Sequence, residues 1–379
     1  MGGFKPPIQL GAAKLGGRLK AAHDAFIKPG VRLAGHDRVM SRLGQIARGL
    51  GRFIPADAAR PLGRPAAVFF HGVEPATRDA RLRTNHHEVD DFVAIARALK
   101  ANFDVLPLGA IDDVLKQPDR HKRALFLMSD DGYANTLRVA ADILADIGLP
   151  WTLFVSTHHI DSGERNPIFL AQLFAYEAPP GRYVIPHFPQ GLTLGEDRAT
   201  VTEHAVWHLR GLDMTLAQEA LDAMLAAFDP AVLQALLAKF SSESFLNWDQ
   251  VRALAARGVE IGAHAHRHWP MNQHQSHAAL REQASRPKAR IESEVGPCRY
   301  FAYPFGNTGD ISRDAWHSVR DAGYDCAFTT LSGTLDAQAN RFLLPRYGLA
   351  QKAAHLTTLI SMLRSGNPRV GRFQKALAD

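Results

Sequence analysis

Ala124-Leu125-Phe126-Leu127-Met128-Ser129-Asp130-Asp131-Gly132-Tyr133 is the stretch that decides the fold of this chain. Its first five residues are continuously apolar, the pattern of a strand covered on both faces in a parallel sheet. Side chains alternate along a strand, so two adjacent carboxylates at its C-terminal end open onto a loop rather than into the core. In α/β folds that is the end where catalytic groups gather. Neighbouring carboxylates can divide the work there, one ligating a metal while the other stays free as a base. A second cluster, His264-Ala265-His266-Arg267-His268, ends another strand-like run, Val259-Glu260-Ile261-Gly262. Together the two clusters point to a mononuclear metal hydrolase.

Outward from this stretch, strands alternate with helices. Strands fit Ala66-Ala67-Val68-Phe69-Phe70, Phe103–Leu106, Trp151–Val155, Tyr300–Tyr303 and Tyr324–Thr329. Helical spacing runs through Val89, Phe92, Ile95, Ala96 and Leu99, and recurs over Thr136–Ile147, Trp248–Ala256 and Arg313–Ala322. This rhythm favours a parallel sheet, open or closed into a barrel. Residues 160–245 break it, with Pro179-Pro180 and helical stretches at about 201–228 and 230–240. They read as a helical insertion over the end of the sheet, either a packing appendage or a lid. The length of the insertion favours the lid.

With 379 residues the chain can bury a large core, and 46% apolar with 22% charged residues is ordinary for a globular protein. Two cysteines, Cys298 and Cys326, make no disulfide framework and fit a reducing compartment. No apolar run approaches the roughly 20 residues of a membrane span. No signal-peptide pattern of apolar core and cleavage site opens the chain. The expected location is the cytoplasm, in contact with the inner face of the membrane if the charge is used there. Residues 1–66 hold 12 Lys/Arg against 3 Asp, whereas the whole chain carries only +6. Val39, Leu43, Ile46, Leu50 and Phe53 follow helical spacing, with Arg38, Arg48 and Arg52 largely opposite. This basic amphipathic helix in extension 1–65 either docks on the catalytic body or meets an anionic membrane or a phosphate-bearing substrate. No aromatic-rich basic groove accompanies the charge, so nucleic acid is not an expected partner.

The ordered motifs Asp130-Asp131-Gly132-Tyr133, His264-x-x-x-His268 and Phe301-Ala302-Tyr303-Pro304-Phe305-Gly306 resemble those of the polysaccharide deacetylases, the NodB-homology carbohydrate esterases. The resemblance covers about residues 66–350 and extends through Leu246-Asn247-Trp248-Asp249-Gln250-Val251-Arg252. It implies a distorted parallel (β/α) barrel and metal-dependent removal of acyl groups from sugars, with 351–379 left as a C-terminal helical tail. Carried over by position, Asp131, His264 and His268 become the metal ligands and Asp130 the base. The backbone N–H of Phe305 then helps hold the oxyanion. Three protein ligands leave a position for water. Zn is the default for such a His/Asp set, and Co, Ni or Fe suit the same ligands.

The residues alone set one condition. Along an extended strand, positions 264 and 268 lie about 13 Å apart, so the chain must turn after His264. His264 and His266 could instead form an H-x-H pair; the resemblance favours His268, leaving His266 behind the ligands or at the surface. His86, His87, His158, His159, His274 and His277 read as solvent-facing or substrate-contacting.

The chain also departs from the family pattern. Met128-Ser129 stands where Thr-Phe is usual, and Ala302 replaces the Arg of the third motif, so the base needs another tether. Arg346, in Leu344-Pro345-Arg346-Tyr347, is the candidate. The C-terminal Leu-x-His is missing, and His355 has a helical setting. His71, ending the first strand in Phe69-Phe70-His71-Gly72-Val73, resembles the general acid of the exopolysaccharide-deacetylase branch. The expected substrate is an N-acetylated sugar or glycan, nucleotide-linked or lipid-linked, on the way to a bacterial surface polysaccharide. Two other classes stay open: a non-catalytic glycan- or membrane-binding protein on this scaffold, and a non-haem iron oxygenase built on the same two histidines and carboxylate.

Overall fold

Alternation builds the sheet and sorts its side chains into two layers. The computed structural model describes residues 63–74, 79, 81 and 86–365. The chain forms two compact units, and the one comprising Pro55–Thr77 and Thr84–Asp379 carries everything below. The basic helix expected within 39–53, most of extension 1–65, and the tail beyond 365 lie outside the described residues.

Eight parallel strands make the main sheet: β1 (Ala66–Phe70), β2 (Asp104–Val105), β3 (Ala124–Ser129), β4 (Thr152–Val155), β5 (Glu260–Ala263), β6 (Tyr300–Ala302), β7 (Cys326–Phe328) and β8 (Tyr347–Gly348). Their order is β7-β6-β5-β4-β3-β1-β8, with β2 paired to the start of β3. The segment before β8 touches the opposite edge, because Leu344 bridges Phe328 in parallel while Tyr347 and Gly348 pair with Val68 and Phe69. The sheet thus curls into the distorted barrel that the family resemblance implied, with its seam at residues 344–348.

Odd and even positions part company along each strand. Val68, Phe70, Leu125, Leu127, Leu153, Val155, Ile261, Phe301 and Ala327 pack in the layer beneath the helices. Ala67, Ala124, Phe126, Met128, Phe154, Tyr300, Ala302, Cys326 and Phe328 fill the barrel interior. The even parity carries on past β3 and β5, so Asp130 and His264 are aimed at the barrel mouth. Interior space is tight at Gly262, where an added Cβ would lie 2.5 Å from the Phe154 ring. Gly262→Ala is therefore expected to destabilise the fold by about 1–3 kcal/mol, read as a lower denaturant midpoint at unchanged slope.

The sequence-expected strands and helices are present, with shorter ends. The Thr136–Ile147 helix opens with a π turn at Thr136–Ala140 before its α-helical part, Ala141–Ile147. The insertion is more broken than its spacing implied. It contains helices Pro167–Glu177, Arg198–Arg210, Met214–Leu225 and Pro230–Lys239 and an antiparallel hairpin, Gly181–Tyr183 with Leu192–Leu194. The helix expected over 201–228 divides at Gly211, where the Asp213 side chain caps the next helix through the Thr215 N–H. The C-terminal tail is helical over Ala353–His355 and Leu356–Ser365. Among the described residues no single helix is long and apolar enough to cross a membrane.

Candidate metal centre and active site

The chain turns after His264 by way of two left-handed residues, Ala265 (φ 59°) and His268 (φ 55°). That turn brings the His264 and His268 rings within 5.0 Å of each other, centre to centre. Asp131, at φ 76°, leaves the end of β3 toward them. Its Oδ1 lies 3.2 Å from His264 Nε2 and 2.9 Å from His268 Nε2. Four of the five non-glycine residues with positive φ among those described are Asp131, Ala265, His268 and Phe305. Such conformations cost about 1–3 kcal/mol each and concentrate where geometry is imposed by function.

The donor set fits a cation. Asp131 Oδ1 is buried, and although both imidazoles are close, neither presents an aligned hydrogen-bond donor to it. Asp131, His264 and His268 each offer one ligand atom within 4.8 Å of the others. His264 Nδ1 donates to the Ala302 carbonyl at 2.7 Å, which leaves the Nε2 lone pair of the neutral ring facing Asp131. His268 Nδ1 rests 3.2 Å from the Asn166 side-chain amide. Burial raises the Asp131 carboxyl, but the His268 and His264 imidazoles outweigh it and hold it well below the ordinary range. Burial lowers His264, but the facing carboxylates of Asp130 and Asp131 raise it on balance. A mixed nitrogen–oxygen set of this size suits Zn and its neighbours.

Asp130 stands apart from that trio. Arg346, at the barrel seam, is fully buried and grips it with both ends of the guanidinium: Nη1 donates to Oδ1 and Nη2 to Oδ2, each at 2.8 Å. Nε donates to the Thr329 carbonyl at 3.0 Å, and the Phe69 ring lies under the guanidinium at 4.5 Å. Burial alone raises the Asp130 carboxyl; the charge of Arg346, then His264, brings it below the ordinary range. The tether that Ala302 cannot supply therefore comes from the strand that closes the barrel.

His71 lies just past β1, partly open to solvent yet densely surrounded, and this crowding outweighs the raising effect of Asp131 and Asp130 to lower its pKa. Phe305 (φ 60°) sits beside His268, rings 5.1 Å apart, and among the described residues no acceptor takes its backbone N–H. Gly306 must be glycine here, because a Cβ would lie 2.7 Å from the Thr330 nitrogen at φ 67°.

The other histidines depart from the solvent-facing expectation. His86, His87 and His159 are buried. His86 packs on Tyr133, with Nδ1 2.8 Å from the Asn135 amide. His87 donates to the Ala350 carbonyl, and His159 stacks on Phe245. Burial pushes His159 down to about 3. His158 is partly covered and pairs with Glu164. His266 is buried behind the ligands, 2.8 Å from Thr157 Oγ1. His274 and His277 are exposed, as expected. These burials had no signal in the sequence, because the partners come from segments up to 263 residues away. Asn166 and Arg210, both from the insertion, were also missed. Asn166-Pro167 is a legible helix start, but its approach to His268 is a tertiary event.

A β/α barrel thus carries, at its mouth, an Asp/His/His cluster able to hold a metal ion and a separately held carboxylate. The model of the polysaccharide deacetylase family matches residues 117–327, and the chain belongs to that family. The fold is also that of a Streptococcus pyogenes deacetylase, PplD, solved with acetate: 12% identity, TM-score 0.52, over 80% of this chain and 99% of that one. IcaB from Ammonifex degensii is similar at 14% identity and TM-score 0.50, over 80% and 97% of the two chains. No curated protein matches the sequence significantly.

Proposed function

We propose that this chain is a metal-dependent hydrolase that removes an N-acetyl group from a sugar of a bacterial surface polysaccharide or its lipid-linked precursor. The observation that carries this reading is the division of labour between adjacent carboxylates. Asp131 Oδ1 lies between two imidazoles with no aligned donor, while Asp130 is held apart by Arg346. A divalent ion on Asp131, His264 and His268 would lower the pKa of a bound water and polarise the acyl oxygen. An oxygenase with these ligands has no use for a second, tethered carboxylate.

Asp130 takes the water's proton as its oxygen adds to the acyl carbon. The Phe305 N–H donates to the oxyanion that forms. His71 then gives a proton to the departing amine nitrogen as the C–N bond breaks, leaving acetate and a free amino sugar. Because its surroundings lower its pKa, His71 is neutral near pH 7 and must first gain that proton, for which its partly open position is suited. The acyl group is read as acetyl, in line with the streptococcal deacetylase solved with acetate. The charge excess of residues 1–66 suits approach to a phosphate-bearing carrier at an anionic membrane face.

The test is acetate release from free, nucleotide-linked and lipid-linked N-acetyl sugars by metal-loaded protein, with bound metal measured in parallel. Wild type should release acetate. Asp130→Asn and His71→Ala should lose about 10²–10⁴ in rate at equal metal content. Absence of acetate from every substrate at full metal loading would mean a binding protein or another acyl group.

A further inference from the structure

Besides Asn166, which meets His268, the insertion reaches the active site through a buried cation. Arg210 ends the helix Arg198–Arg210, is only 6% exposed, and lies with its guanidinium 4.3 Å from the centre of the Phe305 ring. Nη2 donates at 2.5 Å to Asp310 Oδ1. Asp310 Oδ2 in turn accepts the Asn307 N–H, and the Asp310 N–H returns to the Asn307 carbonyl. One guanidinium therefore holds both ends of the loop 305–310, the ring of its first residue and the carboxylate of its last.

Arg210 is itself fixed from the other side. The buried Asn272 side chain donates to the Arg210 carbonyl, and Gln275 takes the Met214 N–H and donates to Leu212 O. Both residues follow His268 closely, so the loop bearing a ligand histidine is built into the turn of the insertion. The held loop has a reason to move, because Phe305 sits at φ 60°, a conformation a phenylalanine does not choose unaided.

We infer that Arg210 is a positioning residue for the loop that presents the Phe305 N–H, so that the insertion acts as a brace for the oxyanion site. This rests on the deacetylase reading for its kinetic consequence but not for its structural one. Aromatic–guanidinium stacking fixes the ring, the ion pair fixes the loop's far end, and together they leave the N–H one direction. Without them the amide wanders, and a donor misplaced by about 1 Å costs on the order of 10²-fold in rate.

The test uses the metal-loaded full chain carrying Arg210→Met with Asp310→Asn, which removes the cation without stranding a buried carboxylate, alongside Arg210→Met alone. Hydrogen exchange of a peptide covering 303–310 should accelerate about tenfold or more over wild type, with the unfolding midpoint of the double variant near that of wild type. On an N-acetylglucosamine oligomer, kcat should fall about 10- to 100-fold at unchanged KM and metal content. Affinity for a phosphonamidate mimic of the tetrahedral intermediate should fall by the same factor, while affinity for the amino-sugar product stays constant. Unchanged exchange in 303–310 would overturn the brace, as would an equal loss of mimic and product affinity. Should wild type release no acetate from any sugar, the functional reading fails, and the exchange result still decides whether Arg210 holds the loop.

Discussion

Arg346→Met is expected to cost about 3–5 kcal/mol of folding stability and to abolish measurable deacetylation. The guanidinium is fully buried, spends two donors on Asp130 and a third on the Thr329 carbonyl, and is flanked by the rings of Phe69, Phe154 and Phe328. Removing it leaves Asp130, itself 1% exposed, without its countercharge. Burial, the largest influence on this carboxyl, is then opposed only by the weaker pull of His264 and His71 and drives it upward, so it takes up a proton at rest and cannot receive one from water.

The sign of the pH dependence separates this from a general loss of packing. In wild type the Asp130 carboxyl lies below its unfolded value of about 3.9. Its contribution to stability is present above that value and lost as pH falls through the folded one. In Arg346→Met the folded carboxyl lies above the unfolded one, so the penalty grows as pH rises. The stability gap between the two proteins should be smaller near pH 4 than at pH 7 in denaturant titrations. A gap independent of pH would mean that the arginine matters only as filler. Arg346→Met with Asp130→Leu should regain most of the stability and none of the activity, because well-packed apolar groups replace a buried pair with little loss.

That pair also shows what a sequence can and cannot tell. The strands were legible because each face of the sheet is buried, so β3 and β4 read as apolar runs and even residues could be tracked to Asp130. The need for a tether was legible too, since Ala302 stands where the resemblance expects arginine. What put Arg346 in reach was the seam, where Leu344 pairs with β7 and Tyr347 with β1. Barrel closure is a property of the whole sheet, and no local pattern announces it. The hairpin Gly181–Tyr183 with Leu192–Leu194 was hidden for a different reason. Its three-residue strands are too short for alternation to register, and prolines 179, 180, 186 and 189 crowd around them. The buried histidines were misread because a histidine's environment depends on partners such as Asn135 and Phe245, which only the fold assembles.

Asp131→Asn is expected to empty the metal site while leaving the fold in place. Asparagine is nearly isosteric and tolerates the left-handed backbone at φ 76°, which alanine does less well. The substitution removes the only formal charge among the three ligand groups, and with it the main attraction for a divalent cation. Wild type incubated with Zn should carry equimolar metal and unfold at a higher temperature than its metal-free form. Saturation at about 100 times the dissociation constant adds roughly 2.7 kcal/mol. In Asp131→Asn the metal-dependent rise should vanish, bound Zn should fall to background, and acetate release should go with it. The metal-free variant should unfold within a few degrees of metal-free wild type. Retention of tight Zn binding would move the centre elsewhere, with His266 the first place to look, since its Nε2 is buried without a partner. Loss of the metal-free fold would make Asp131 a structural residue. Only loss of metal at constant fold fits a carboxylate whose inner oxygen is flanked by two imidazoles with no donor aligned on it.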